Sequence, residues 1–341
     1  MPPPLILCLE STCDETAAAV IDGDLRVLSS VVASQEQLHA RYGGVVPEIA
    51  SRAHVERILP VIDEAVTRAG VALADLDAIA VANRPGLAGS LLVGLMAAKA
   101  LCLALDKPLI AVNHLAGHIY AGRVAAGRDI FPCLGLVVSG GHTSLYRCDT
   151  ALEQRFLGGT IDDAAGESFD KVASLLGLPY PGGPQLERVA RGGNPRQYAF
   201  PRSFIREPER RQFSFSGLKT AVRYALAPQG TELPPPPFPA RLTADIAASF
   251  QQAVIDCLVI KAIQTARQER LSTICLAGGV AANQELQRQL RAACNDEKLE
   301  LIVPPRELCT DNAVLGAIAI ERYRGGLFEK LDLEIFPGLE R

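Results

Sequence analysis

The sequence predicts an α/β protein of two related lobes facing a cleft, and two observations carry that expectation. Strand-like runs alternate with helix-spaced runs along most of the chain. One device also occurs twice: an apolar strand, a bend of small and polar residues, and a second strand. Residues 5–9, the turn 10–15 and residues 17–21 form the first copy; residues 134–138, 139–143 and 145–146 form the second. A hairpin repeated at the head of each half marks duplicated lobes. The lobes are expected at residues 1–125 and 126–311, with a C-terminal helix over 312–325 packing back on the first.

The elements between follow from periodicity. Ile58, Leu59, Ile62 and Val66 have helical spacing within 49–69. A short strand is expected over 77–82, a buried helix over 90–105, and a strand over 109–112 that runs directly into a helix at His114. In the second half, Ile246, Phe250, Val254 and Leu258 share one stripe of a helix over 243–267. A strand over 272–276, the turn Gly278-Gly279 and a helix over 283–293 follow. The run Leu233-Pro234-Pro235-Pro236-Pro237-Phe238 lacks backbone donors and reads as a stiff surface loop.

Composition excludes several classes. With 341 residues, 48% of them hydrophobic and 21% charged, the chain can bury a large core and is not a disordered protein. The stretch 91–105 is interrupted by Lys99 and is shorter than the roughly 20 residues of a spanning helix. The amino-terminal Met1-Pro2-Pro3-Pro4-Leu5 lacks a basic, apolar secretory pattern. Nine cysteines without a Cys-x-x-Cys pair, most of them in apolar runs, fit reduced thiols in a cytoplasmic protein with no membrane association.

Five groups of residues suggest chemistry. His114 and His118, four apart, lie on one helix face and can grip one metal ion; two surface or capping histidines would show the same spacing. Asp311 is the best third ligand by sequence and equally suits a plain helix cap. Two histidines and a carboxylate leave open positions and favour iron or zinc. The turn Ser139-Gly140-Gly141-His142-Thr143 offers bare backbone donors for a phosphate, and also fits an ordinary tight turn. The strand–glycine–helix order around Gly278-Gly279 and Asn283 suits a nucleotide, without the spacing of a dinucleotide fold or a P-loop. Asp14 and Glu15 sit at a hairpin bend, either as solvated acids or as groups that handle a proton or a metal. Between Glu187 and Arg223 nine basic residues face three acidic ones, with Tyr198, Phe200, Phe204, Phe213 and Phe215 interleaved. Such a stretch suits a phosphate backbone and unstacked bases, or is a solvated basic face.

In combination these motifs resemble the TsaD family, also called Gcp or YgjD. The resemblance rests on Glu10-Ser11-Thr12-Cys13-Asp14-Glu15-Thr16, Tyr42-Gly43-Gly44-Val45-Val46-Pro47-Glu48, Arg84-Pro85-Gly86-Leu87 and Asn113-His114-Leu115-Ala116-Gly117-His118. It continues through Val138-Ser139-Gly140-Gly141-His142-Thr143, the run from Asp162 to Lys171, and Tyr180-Pro181-Gly182-Gly183-Pro184. Phe213-Ser214-Phe215-Ser216-Gly217-Leu218-Lys219, the run from Ala277 to Asn283, and Thr310-Asp311-Asn312 complete it, so it spans nearly the whole chain in order.

The resemblance implies the actin-like, sugar-kinase-like ATPase fold. It implies transfer of a threonylcarbamoyl group from threonylcarbamoyl-adenylate to N6 of the anticodon-adjacent adenosine, position 37, in tRNAs reading codons that begin with adenine. It also implies one divalent metal per subunit, iron before zinc, on His114, His118 and Asp311. The adenylate would lie on Val138, Ser139, Gly140, Gly141, His142, Asp170, Gly183, Glu187 and Asn283, with Asp14 or Glu15 as the base. Partners would be tRNA, TsaB-like and TsaE-like subunits, and a TsaC or Sua-type enzyme that makes the adenylate. Where the family commonly has Glu, this chain has Ala116, which at i+2 from His114 faces away from the metal. A zinc endopeptidase would need an acid beside the first histidine, where Leu115 stands. A non-catalytic scaffold of the same fold would be expected to lose these ligands, and this chain keeps them.

Overall fold

The computed structural model describes residues 3–338, so Met1 and Pro2 of the first expected lobe and of the amino-terminal pattern lie outside the described residues. The chain divides into two compact units. One holds the residues up to Asp129, Thr150–Gln154 and the chain from Pro304 on; the other holds Ile130–Asp149 and Arg155–Val303. The return at Pro304 precedes residue 311, where the sequence placed the end of the second lobe, so Asp311 belongs to the first unit.

The first unit opens with β1 (Leu5–Glu10), β2 (Glu15–Asp22), β3 (Val27–Ser34), α1 (Glu36–Ala40) and α2 (Pro47–Ala69). It continues with β4 (Ala78–Arg84), α3 (Ala88–Leu105), β5 (Leu109–Asn113) and α4 (His114–Ala126). Its sheet has the order β3-β2-β1-β4-β5; β1 runs antiparallel to β2 and parallel to β4. Strands buried on both faces read as unbroken apolar runs, which is why β1, β2 and β4 were legible. Leu7 and Leu9 enter a core shared with Ile58, Ile62, Leu95 and Ala98 of α2 and α3, whereas Cys8 faces the other way, against Gly316.

The second unit contains β6 (Cys133–Val138), β7 (Thr143–Cys148), β8 (Gln154–Gly159), α5 (Ala165–Leu175), α6 (Gly182–Ala190) and α7 (Ser216–Leu226). There follow α8 (Ala240–Glu269), β9 (Thr273–Ala277), α9 (Gln284–Asp296) and β10 (Glu300–Ile302). Its sheet, β10-β9-β6-β7-β8, repeats the first: an antiparallel hairpin with a third strand beyond it, and two further strands on the open side. The duplication therefore covers whole sheets and not only the hairpins. The helix foreseen at 283 starts at Gln284, because Asn283 is its cap and its Oδ1 accepts from Leu286 N at 2.9 Å.

The first unit is closed by α10 (Arg306–Cys309), a 3-10 stretch over Ala313–Ile318 and α11 (Ala319–Arg324). The single helix expected over 312–325 is thus split. Asn312, not Asp311, caps it, its Oδ1 accepting from Val314 N at 2.9 Å. α3 and α8 are each long and apolar enough to cross a membrane, a test that core helices pass equally. Most of the apolar window of α8 is buried, and α3 packs Leu91, Leu95, Ala98 and Cys102 inward. All nine cysteines are free thiols, and all but Cys13 are buried.

The approach of α4 to the closing segment is close. A Cβ at Gly117 would lie 2.6 Å from the carbonyl oxygen of Leu315. Gly117→Ala should therefore lower the melting temperature of the metal-free protein. The steric cost of about 1–3 kcal/mol outweighs the helix-propensity gain of up to about 1 kcal/mol. An unchanged or higher melting temperature would contradict this packing.

Candidate functional site

The histidines are placed by the passage from β5 into α4. Asn113 ends the strand and caps the helix, its Oδ1 accepting from Leu115 N at 2.9 Å and Ala116 N at 3.3 Å. This puts His114 at the first helical position and His118 one turn later on the same face. Their rings meet edge-on, with centroids 4.6 Å apart at 80°. Asp311, just before the 3-10 stretch, brings Oδ1 to 3.5 Å from His114 Nε2 and 3.2 Å from His118 Nε2.

These three residues are the one group among the described residues whose donor atoms could hold a metal ion, all within 4.8 Å of one another. Ligands about 2.0–2.1 Å from a tetrahedral ion lie roughly 3.4 Å apart, so the carboxylate-to-imidazole spacings fit. The donor set suits iron or zinc. Burial alone would depress His114, but the carboxylates of Glu10 and Asp311 outweigh it and raise its pKa to about 9. His118 moves the other way, lowered by burial and by the neighbouring His114.

Sequence reasoning missed Glu10. It ends β1 at the same edge of the sheet as His114, is 2% exposed, and places Oε2 3.0 Å from His114 Nδ1. A charged residue closing an otherwise apolar strand, buried from Ile6 on, was the available signal. Asp14 and Glu15 share a hydrogen bond, and Glu15 opens β2 instead of lying in the turn. Burial, then the carboxylates of Asp14 and Asp311, hold the Glu15 carboxyl well above the usual range.

In the second unit, of the nine residues expected to hold the adenylate, Val138 to His142 follow or end β6 and Asn283 comes after β9, while Asp170 lies on α5 and Gly183 and Glu187 on α6. Register pairs Val137 with Ala277, so the turns that follow are neighbours. Gly278 sits at φ +91°, and a Cβ there would lie 2.5 Å from the Val138 carbonyl, which only glycine allows. In the first turn Ser139 N donates to His142 O at 2.7 Å and His142 N to Ser139 Oγ at 3.1 Å. The N–H groups of Gly140 and Gly141 have no partner among the described residues, and a Cβ on either would meet only open space. Such a cradle suits an anion.

The remaining members tie the surrounding helices together. Asp170 Oδ1 accepts from Gly182 N at 2.8 Å and Gly183 N at 3.3 Å, fixing the start of α6 on α5. Glu187 Oε1 accepts from Gln284 N at 3.0 Å, and Asn283 Nδ2 donates to Gln251 Oε1 at 3.0 Å. A cavity of about 290 Å³ opens beside Glu187, with Gln251, Gln284 and Arg288 in its wall. Gln251, a buried amide on the largely apolar α8, was a second missed residue.

The basic segment is less available than its sequence suggested. Arg191, Arg202, Arg210 and Arg211 pair with Glu187, Asp256, Glu207 and Glu269. Phe200, Phe213 and Phe215 are core side chains, and Arg210 covers the Phe204 ring at 3.4 Å. The interleaved aromatics therefore serve mainly packing.

Residues 26–318 match the family described as TsaD: tRNA N6-adenosine threonylcarbamoyltransferase. A protein of that name from Rhodopirellula baltica is 54% identical over 99% of this chain and 97% of its own length. Another, from Moorella thermoacetica, is 52% identical over 98% of this chain and 96% of its own. Among solved structures, full-length HypF in its phosphate- and nucleotide-bound form aligns with a TM-score of 0.63 at 15% identity. That alignment covers 96% of this chain and 48% of HypF. The activator of 2-hydroxyisocaproyl-CoA dehydratase from Clostridium difficile, with bound ADPNP, aligns with a TM-score of 0.54 at 14% identity over 94% of this chain and 96% of its own. These likenesses establish the actin-like ATPase fold.

A histidine whose pKa is raised on folding stabilises the metal-free protein fully below about pH 6.5, its unfolded value. That contribution is lost as pH rises through about 9. Thermal melts of the metal-free protein should accordingly fall across this window. Zn²⁺ affinity should rise over the same window, because the ligating nitrogen must first lose its proton. A Zn²⁺ affinity independent of pH between 6.5 and 9 would contradict the His114 assignment.

Proposed function

This chain belongs to the TsaD family of tRNA N6-adenosine threonylcarbamoyltransferases, and we propose that it moves the group from threonylcarbamoyl-adenylate to N6 of adenosine 37 in tRNAs reading codons that begin with adenine. The observation that carries this reading is the convergence of His114, His118 and Asp311 on one point. His114, His118 and Asp311 would hold one divalent ion, iron in preference to zinc. When bound, such an ion supplies Lewis acidity toward an oxygen of the threonylcarbamoyl group.

The chain's own residues do the rest. The N6 amine attacks the carbamoyl carbon, a C–N bond forms, the bond from that carbon to the phosphate oxygen breaks, and AMP leaves. The open N–H groups of Gly140 and Gly141 would receive the negative charge of the departing phosphate. Val138, Ser139 and His142 shape that turn, Asp170 holds Gly183 in place, and Glu187 and Asn283 line up α6 and α9 beside the cavity. An exocyclic amine is a weak nucleophile and must lose a proton as it attacks. Asp14 or Glu15, at the head of β2, would accept that proton.

The protein would act in the cytoplasm with TsaB-like and TsaE-like subunits, on adenylate made by a TsaC or Sua-type enzyme. An open apolar face supports a protein partner: Leu92, Met96 and Leu103 of α3 are 49%, 54% and 75% exposed.

The reading is tested by incubating the protein with threonylcarbamoyl-adenylate, unmodified tRNA and the partner proteins, then weighing the nucleosides of the digested tRNA. Wild type should yield threonylcarbamoyladenosine at position 37, with His118→Ala and Asp311→Ala lowered at least 100-fold. Absence of product with active partners would favour a scaffold role. Gly141→Val should weaken adenylate binding while leaving Zn²⁺ binding unchanged, since the two sets of residues belong to separate units. Loss of both together would argue against that division of labour.

A further inference from the structure

We infer that Glu10 is the positioning residue of the metal centre, making His114 its anchoring ligand and leaving His118 the weaker one. The inference rests on the metal-centre reading given above and concerns a residue outside the ligand set.

Both oxygens of Glu10 are committed. Oε1 accepts from Thr12 N at 2.7 Å, and Oε2 lies 3.0 Å from His114 Nδ1. Thr12 Oγ1 lies 3.3 Å from the same ring nitrogen. The imidazole is thereby held between two polar groups on one side and Asp311 on the other, so that Nε2 and not Nδ1 is presented toward the ligand point. His118 has no counterpart. Its ring is fully buried, yet Nδ1 has no hydrogen-bond partner among the described residues.

Two histidines one helical turn apart thus differ in support. Packing alone orients His118, whereas His114 carries a buried carboxylate on its far nitrogen. A carboxylate in that place fixes the ring's tautomer and rotation and raises its basicity as a ligand; loss of such a partner costs about 10–100-fold in metal affinity. Burying a carboxylate at the end of an apolar strand is costly unless it is paired, and here the pairing partners are the backbone of the Thr12 turn and His114. The turn that carries Asp14 is therefore tied to the ring through the same side chain.

The measurement is competition for Zn²⁺ between a chromophoric chelator and the full-length protein, as wild type, Glu10→Ala, Glu10→Gln, His118→Ala and Asp311→Ala. Melting curves of each metal-free protein run alongside. Glu10→Ala should weaken Zn²⁺ binding about 10–100-fold. Glu10→Gln should fall between it and wild type, since the amide oxygen still accepts from Nδ1–H without the charge. Should Glu10→Ala not fold, Glu10→Gln decides. Affinities of both Glu10 variants within threefold of wild type would overturn the inference while leaving the metal centre intact. Wild-type affinity in His118→Ala and Asp311→Ala would instead overturn the metal-centre reading and this inference with it.

Discussion

The backbone approach of α4 to the Ala313–Ile318 stretch is the contact on which the first unit's site depends. Gly117 leaves room for the Leu315 carbonyl, and this closeness carries Asp311 to within hydrogen-bonding distance of His118, 193 residues earlier in the chain. Nothing local to either segment would bring these groups together. The histidines are set by β5 and the Asn113 cap, the aspartate by the closing segment. A side chain at position 117 would part them. Buried ionic and imidazole groups are costly to desolvate and are tolerated only when their geometry is tightly held; here a glycine and a capped helix hold it.

The candidate groups are divided between the two units. His114 follows the carboxyl end of β5 in the first, where the closing segment brings Asp311 to it, and the glycine turns stand at the carboxyl ends of β6 and β9 in the second. That end of an α/β sheet is where ligands bind as a rule, because the loops there are free to vary while the strands fix their roots. Asp162 shows how the loops are rooted. Its carboxylate takes hydrogen bonds from Ser214 Oγ at 2.6 Å, Phe215 N at 2.8 Å and Ser216 Oγ at 2.8 Å, holding the entry to α7. These donors outweigh the effect of burial and keep its pKa below the ordinary value.

What could be read from the sequence was what burial makes periodic. β1, β2, β4, β5, β6 and β9 are apolar on both faces, and their runs stood out. β3 and β8 are partly exposed and mixed in character, and α5 and α6, though amphipathic, are only 11 and 9 residues long, too short for their pattern to stand out. In the site, the histidine pair was visible because its partners are one helical turn apart. Asp311 could be named but not placed, since its role comes from a long-range contact, and the neighbouring Asn312 took the capping role. Glu10 was hidden because a single acid at a strand end looks like a turn residue until its surroundings are known. The basic stretch misled in the opposite sense: charges counted along the chain do not register Asp256 and Glu269 of α8, which pair with Arg202 and Arg211.

The return of the chain to the first unit at Pro304 gives the protein a direction in time. A ribosome delivers β1, β2 and both histidines early and the second unit next, and only then the aspartate that completes the group. Until that last stretch has been made and docked, the first unit holds the two imidazoles with Glu10 against His114 but without Asp311 between them. Assembly of the His114, His118 and Asp311 group is thereby coupled to completion of the chain: an interrupted product carries the histidines and the Glu10–Glu15 turn but not Asp311.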